Sequence, residues 1–477
     1  MSASTTPETG QAESAGRGGT TLVAALVFIA LVVAAIGSLG APLITSVAKD
    51  YDVSLSTAQW TLTITLLTGA VATPLLGRLG STQRRRKVVL ATLAIVALGS
   101  VATVVPAPFV VLLVGRAAQG VGLGLTALTM ATARQHLGDR AVSTIAMLSV
   151  ASTVGIGVGY PIASLLAQLG GVRVAYLLAV VVAVAALITA VVAIPRDTSA
   201  APANESVDWL GASLLSVGLV AVLLVTSQSS WWSSNPLPVV LILLVGAAVL
   251  AAWVVVERKV ARPLVDLTAL RHPAVAGANV VMFVSGIAMY LLFTLITRFV
   301  QTPLQVGYGY GLNEVEAGLV LVPFSALGFV AGRVVPKIRQ KVSPFGLLTA
   351  NGIVIALACV LFVSVRGMGV VWPIVVMGVL GFGVGGFSAV MPQAILAVTP
   401  AEETAAAMSV NQVVRSVGFS LGSAVSGLIL AAHTATGSFA PTDSGYSTAA
   451  WTAGVLALVT IVLAAGINAS RSKQHQS

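Results

Sequence analysis

Charge is what this sequence has least of. Only 8% of its 477 residues are Asp, Glu, Lys or Arg, against about 25% in a soluble domain. There are 15 acidic and 25 basic residues, and mean hydropathy is +0.99. So few charges cannot clothe a water-soluble globule. That excludes a cytosolic enzyme, a secreted domain and a disordered protein, and leaves lipid as the main solvent. Cysteine is nearly missing too. Cys359 stands alone in an apolar run, so neither an intrachain disulfide nor a cysteine metal cluster can form. The four histidines, His136, His272, His433 and His475, are dispersed, and the acids fall in tails, loops and span ends. Hydrolysis or group transfer needs clustered acids, bases or metal ligands. With none in the pattern, no enzyme, no cofactor and no metal site are expected. Residues 1–20 lack the basic start and cleavage site of a signal peptide and read as a disordered tail.

Long apolar runs are what the chain has in abundance. A helical span needs about 20 apolar residues, and the charge-poor stretches read as fourteen of them. The first six are about Thr21–Ala48, Ala58–Gly77, Val88–Val105, Phe109–Ala133, Ala141–Leu169 and Val174–Ile194. A polar linker, Pro195–Asp208, follows. Trp209 to Val256 has no charge at all and is broken by Trp231-Trp232-Ser233-Ser234-Asn235-Pro236. Two tryptophans beside such a turn read as an interfacial hairpin, hence spans seven and eight. The last six are about Val275–Val300, Ala317–Val335, Phe345–Val365, Val370–Ala394, Ala405–His433 and Ala449–Asn468. The expected fold is an all-α polytopic membrane protein. A cytoplasmic tail (1–20) leads to a six-helix bundle (21–195), a linker with two further helices (196–272), a second six-helix bundle (273–469) and a cytoplasmic tail (470–477).

The net charge of +10 is an orientation signal in this setting, not a sign of nucleic-acid binding. With the amino terminus inside, nineteen Lys and Arg residues fall on the cytoplasmic face, and only Lys49, Arg173, Arg298 and Arg366 on the outer one. That asymmetry places both termini in the cytoplasm. Arginine outnumbers lysine 19 to 6, which with abundant Ala, Val and Gly hints at a GC-rich bacterial genome. The expected location is the plasma membrane.

Two arginines lie inside spans. Arg116 is near the middle of span four, where an arginine costs roughly 2.5–3.5 kcal/mol on insertion scales. It therefore faces the bundle interior or water. It is either a gating, proton-coupling or substrate-contacting group, or a brace tied to helix carbonyls. Arg415 in span thirteen, close to Asn411 and Gln412, poses the same alternatives. Span five carries Gly155, Gly157 and Gly159 before Pro161, and span four carries Gly120 beside Gln119. Such glycines let helices approach closely, as packing or as a sliding surface. Thr65 in span two, and Asn279 and Tyr290 in span nine, could line a cavity, although single Thr and Ser residues commonly satisfy their own helix carbonyls. Gly77-Arg78 before the basic cluster Arg84-Arg85-Arg86 recurs as Gly332-Arg333 before Lys337. This is a sign of an internal repeat, and repeat transporters place their site where the halves meet.

These residues resemble the major facilitator superfamily, most closely its fourteen-span drug:proton antiporter branch. Arg116 followed by Gln119-Gly120 looks like the family's span-four motif, and Gly155 to Ala163 like its span-five exporter motif. Leu264-Val265-Asp266-Leu267 looks like the approach to the second six-helix set, and Asn411 to Gly422 like the span-thirteen pattern. The resemblance implies proton coupling or gating at Arg116, an exporter-specific helix interface at Gly155, Gly159 and Pro161, and a cytoplasmic gate loop at Gly77, Arg78, Arg84, Arg85 and Arg86. The chain departs from the pattern in four places. Ser81 stands where the loop motif has Asp, Pro336 stands there in the repeat, Ile36 stands where span one commonly has Asp, and Tyr160 separates Gly159 from Pro161. Asp50 and Asp52 are then the nearest carboxylates for a coupling proton.

The expected function is secondary active export of an amphiphilic small molecule, a drug or secondary metabolite, by alternating access, with proton exchange as its coupling mode. The alternative is an organic-anion transporter or uncoupled facilitator using the buried arginines, since two buried cations without a buried carboxylate favour an anion. A non-transporting scaffold or lipid-acting enzyme is the reading from outside transport. The expected partners are the substrate, protons and the bilayer, with the chain acting as a monomer.

Overall fold

The computed structural model describes residues 8–80, 84–196, 208–227, 236–260, 272–338, 341–435 and 440–474. Among them there are helices and no strands. Twelve helices are long and apolar enough to cross a membrane. One of these, Gly138–Ala193, holds spans five and six, joined where Gly170 and Gly171 leave the helical region. Gly171 sits at φ 77°, where a side chain would be strained. The shorter apolar helix Trp209–Val225 coincides with span seven, and Leu237–Glu257 with span eight. Each of the fourteen segments read from the sequence thus falls on helical backbone, spans one, two, four and ten on consecutive helices. Ser81, the Trp231–Asn235 turn and Leu264–Leu267 lie outside the described residues, as does most of the linker.

Several boundaries differ from the expectation. The first helix begins at Glu8, ahead of the expected first span. Gln11, Ala12, Glu13 and Ala15 are good helix formers, and the apolar run beyond supplies the cooperative length. The last helix runs Asp443–Gln474, past the expected end at Asn468. Span four is interrupted by a 3-10 turn at Gly122–Gly124. Span ten is interrupted at Leu321, just before Pro323, whose ring and missing N–H break the helical ladder. Its first helix, Glu314–Val320, opens on a capping box. Asn313 Oδ1 accepts from the Val315 and Glu316 amides at 3.0 Å, and Glu316 accepts from the Asn313 amide at 2.9 Å.

The burial pattern is inverted relative to a soluble protein. Leu98, Val192 and Val462 are 71, 78 and 70% exposed, whereas Arg116, Thr61, Thr65 and Ser285 are fully buried. An apolar outer surface around a polar-containing interior is what lipid solvation requires. Within the first set, span one packs along the Gly138–Ala193 helix pair and spans three and two pack on span four. Within the second, span nine packs on thirteen, ten on twelve, and eleven on fourteen. The sets meet along two seams, span five against spans ten and twelve, and span two against span thirteen. Spans seven and eight pack on each other and lie over the second seam. There Leu215 and Leu219 meet Val410, Val413 and Val417 of span thirteen, and Leu223 meets Leu67 and Ala70 of span two.

Candidate functional site

Arg116 is embedded in the first six-helix set. Its Nε donates to Thr61 O at 3.1 Å in span two, and its Nη1 donates to Ile36 O at 3.1 Å in span one. Nη1 also donates to Gln119 Oε1 at 2.6 Å, one turn along span four. Gln119 in turn donates to Ser100 Oγ in span three at 3.0 Å. The guanidinium lies 5.8 Å from the Tyr176 ring of span six. Thr65, read as a cavity residue, donates to the Arg116 carbonyl at 3.1 Å and to Thr61 O at 2.9 Å. One side chain therefore ties together spans one, two, three, four and six. All of its acceptors are carbonyl oxygens, backbone or amide, and none is a carboxylate. Ile36 contributes its backbone carbonyl at the position where the resembling branch carries Asp. Gly120 permits this closeness, because a Cβ there would collide with Thr68 Oγ1 and Thr65 O.

The glycine motif of span five works on two faces. Residues four apart share one helix face, and the residue between them points away. A Cβ on Gly155 would stand 2.5 Å from Leu31 O, and one on Gly159 2.6 Å from Ser38 Oγ, both on span one. Gly157 faces the other way, where a Cβ would collide with Ser325 Oγ of span ten. Farther along, Pro161 and Tyr160 pack on Gly318 of span ten. The Tyr160 insertion thus becomes part of the seam. Thr153 and Ser388 hydroxyls meet across it at 3.1 Å, and Ser325 Oγ donates to Val154 O at 3.4 Å.

At the end of the bundle that carries the basic cluster, the gate-loop residues divide. Arg85 donates to Gly80 O at 2.6 Å, Ala131 O at 3.1 Å and Gln135 Oε1 at 2.5 Å. Arg86 donates to Ile194 O at 3.0 Å and Val191 O at 2.8 Å. Both lock helices within the first set. Arg78 lies in the last turn of Trp60–Leu79, and Arg84 precedes the helix Arg85–Val104. Gly77 touches the second set, where a Cβ would stand 2.5 Å from Ser409 Oγ. Sequence reasoning missed a stronger crossing contact. Arg134 donates to Thr399 O at 2.6 Å, Leu396 O at 3.2 Å and Thr404 Oγ1 at 3.0 Å. It supplies donors to carbonyls just where the helix Val371–Leu396 ends, the place where a cation suits orphaned acceptors and the helix dipole.

Asp50 and Asp52 lie at the opposite end. Asp50 Oδ2 accepts from the Val172 amide at 3.4 Å, beside the Gly171 turn. Asp52 is exposed and adopts φ 50°. Between them, burial pushes the Tyr51 phenol up, opposed by the charge of Arg173 and reinforced by Asp50. Neither acid is paired with Arg116.

A small cavity lies between the two sets. Tyr290 and Phe293 of span nine, Phe324 of span ten, and Arg415 and Phe419 of span thirteen line it, with Thr153, Ile156, Met289 and Val384. The aromatic rings form a continuous wall. Tyr290 stacks on Phe419 (4.8 Å between centroids, 14° between planes) and on Phe293 (5.3 Å, 22°), and Phe293 meets Phe324 edge-on at 5.2 Å. The Arg415 guanidinium lies 5.8 Å from the Phe419 ring. Among the described residues it forms no hydrogen bond and no ion pair, and no carboxylate lines the cavity. Of the residues read as cavity candidates, Tyr290 and Arg415 reach it. Asn411 donates to Asn279 at 3.0 Å, and Asn279 to Val275 O at 3.0 Å, so these two bridge spans thirteen and nine. Gln412 is buried. The missed aromatics carried a faint signal in their spacing, with Phe419 four residues after Arg415 and Phe293 three after Tyr290, each pair on one helix face. Among the described residues no group of His, Cys, Asp and Glu could hold a metal.

Comparison with known proteins agrees with this architecture. The family model of the Major Facilitator Superfamily matches residues 26–423. The chain is 25% identical over 391 residues to a "Multidrug resistance protein B homolog" of Mycobacterium tuberculosis, covering 80% of this chain and 70% of that protein. It is 25% identical over 402 residues to the "Tetracenomycin C resistance and export protein" of Streptomyces glaucescens, covering 81% and 71%. Among solved structures, the human organic anion transporter MFSD10 (TETRAN) superposes with a TM-score of 0.68 at 13% identity, over 94% of this chain and 99% of that one, a likeness of fold. By its sequence and its fold, the chain belongs to the major facilitator superfamily and is a multi-pass membrane transporter.

Proposed function

We propose that this protein exports an amphiphilic small molecule, a drug or a secondary metabolite, by alternating access between its two six-helix sets. The observation that carries the reading is the aromatic cavity between the sets, with contacts closing it toward both ends. Toward the basic end the sets touch at Gly77 against Ser409 and through the Arg134 hydrogen bonds. Toward the other end they touch at Pro161 and Tyr160 against Gly318. Rocking about the span-five seam, where Gly157 allows close approach, opens one end while the other stays shut. The resistance and export names of relatives such as those from M. tuberculosis and S. glaucescens support the direction. The charge asymmetry supports a cytoplasmic location for the basic end and both termini, in a bacterial plasma membrane that the chain crosses fourteen times on this reading.

The interior favours a specific reading of Arg116. Its donors are taken up by carbonyls of its own set, so we assign it as the brace of the first bundle and not as a proton carrier. A cavity without a carboxylate supports transport that does not pass a proton through the substrate site. The test is flux in proteoliposomes across a compound panel, with and without a pH gradient. Export of amphiphiles, with rates that a pH gradient changes little, is expected. Absence of flux for every compound contradicts the proposal, and strict dependence on the gradient contradicts its uncoupled part.

A further inference from the structure

The cavity contains a charge that nothing in the described protein neutralises. A guanidinium removed from bulk water and left without an acceptor is unfavourable, and strongly hydrogen-bonding acceptors relieve it. Arg116 shows what this chain does with a structural arginine, wrapping it in carbonyls. Arg415 has no such wrapping. It rests beside the stacked rings of Phe419, Tyr290 and Phe293, on the wall of the space between the two sets. Those rings present a flat, apolar surface suited to stacking another ring. A planar guanidinium beside it offers paired donors suited to a carboxylate or sulfonate.

We infer that Arg415 and the Tyr290–Phe419–Phe293 wall form a substrate subsite for a flat aromatic compound that carries an anionic group. The ring stacks on the aromatic wall, and the anion completes the hydrogen bonding of Arg415. This inference rests on the reading of the chain as an exporter and adds the charge class of what is exported. It also assigns the selectivity to one residue. A cationic amphiphile of the same shape meets repulsion from Arg415 with no carboxylate on the cavity wall to receive it. A neutral one stacks but brings no charge to neutralise the guanidinium.

The test uses the full chain in proteoliposomes and three matched probes of permanent charge state. These are naphthalene-2-sulfonate, the neutral 2-naphthyl methyl sulfone, and trimethyl-2-naphthylammonium. The wild type is expected to move the sulfonate about tenfold faster than the ammonium, the scale of one charge-assisted contact. Arg415→Gln should lower the sulfonate rate about tenfold while leaving the sulfone within about twofold, and Arg415→Lys should restore part of the loss. Phe419→Ala should slow all three. A melting curve of each variant in detergent separates loss of contact from loss of fold, and the Lys variant keeps the question open to measurement if Gln does not fold. Equal or faster ammonium flux, or an undiminished sulfonate rate in Arg415→Gln, overturns the inference and leaves the exporter reading standing. Flux of other panel compounds with none of the naphthalenes does the same. Absence of flux for every compound overturns the exporter reading itself.

Discussion

The two arginines inside the spans have the same side chain and opposite surroundings. Arg116 is fully buried, and its guanidinium is held by acceptors from spans one, two and four. Arg415 is half-buried at the cavity, lies beside an aromatic ring, and donates to no acceptor among the described residues. The difference teaches how to read an intramembrane charge. A cation whose donors are satisfied at home holds a bundle together, and one whose donors are open is available to a ligand. On the readings proposed above, the first contributes to stability and the second to recognition.

The sharpest way to break this comparison is Arg116→Gln. It removes the guanidinium that joins the Thr61 and Ile36 carbonyls of spans two and one, and with it the link through Gln119 to Ser100. A loss of about 3 kcal/mol is expected, read as a fall on the order of 5 °C or more in the detergent melting midpoint. An unchanged midpoint would remove the brace from the account. Next in size is Gly157→Val, which puts side-chain atoms into the space of Ser325 at the span-five seam. Flux should fall several-fold, with the cavity residues themselves untouched. A variant with full flux would show that the seam does not move against span ten.

A smaller effect is expected at the basic end. Arg134→Ala removes donors to Leu396, Thr399 and Thr404 of the other set. In a Cys359→Ala background with Ser409→Cys as reporter, labelling by an impermeant maleimide added at that end should rise severalfold. No rise would mean that Gly77 and its neighbours close the end unaided. The smallest effect is expected at Asp50→Asn. Its carboxylate accepts one long bond from the Val172 amide and pairs with no intramembrane arginine. Flux and its pH dependence should stay within about twofold of wild type, the scale of one weak surface interaction. Loss of a pH response would restore Asp50 as a proton carrier.

Much of the fold was legible because lipid imposes a simple rule. Every span must be long and apolar, and the charges between spans mark the ends. Spans five and six were read as ending at Leu169 and starting at Val174, and the structure breaks the helix between them at Gly170-Gly171. Arg116 was legible as important because a buried charge is expensive. Its role was not, because the sequence does not show which carbonyls surround it. The cavity wall was hidden for a different reason. In a membrane protein Phe293, Phe324 and Phe419 look the same whether they face lipid, core or cavity, and only the rotation of spans nine, ten and thirteen brings them together. Arg134 was hidden because a basic residue near a span end serves orientation equally well. The Asn279–Asn411 pair was read as cavity lining, since polarity in a span marks an inward face without saying whether a partner already waits there.

The most direct single test is a side-by-side measurement of Arg116→Gln and Arg415→Gln, recording the detergent melting midpoint and the sulfonate-to-sulfone flux ratio in the same preparations. The account predicts a lowered midpoint with the ratio retained in whatever Arg116→Gln protein folds, and a wild-type midpoint with the ratio lost in Arg415→Gln. Two variants that shift both quantities alike would contradict it.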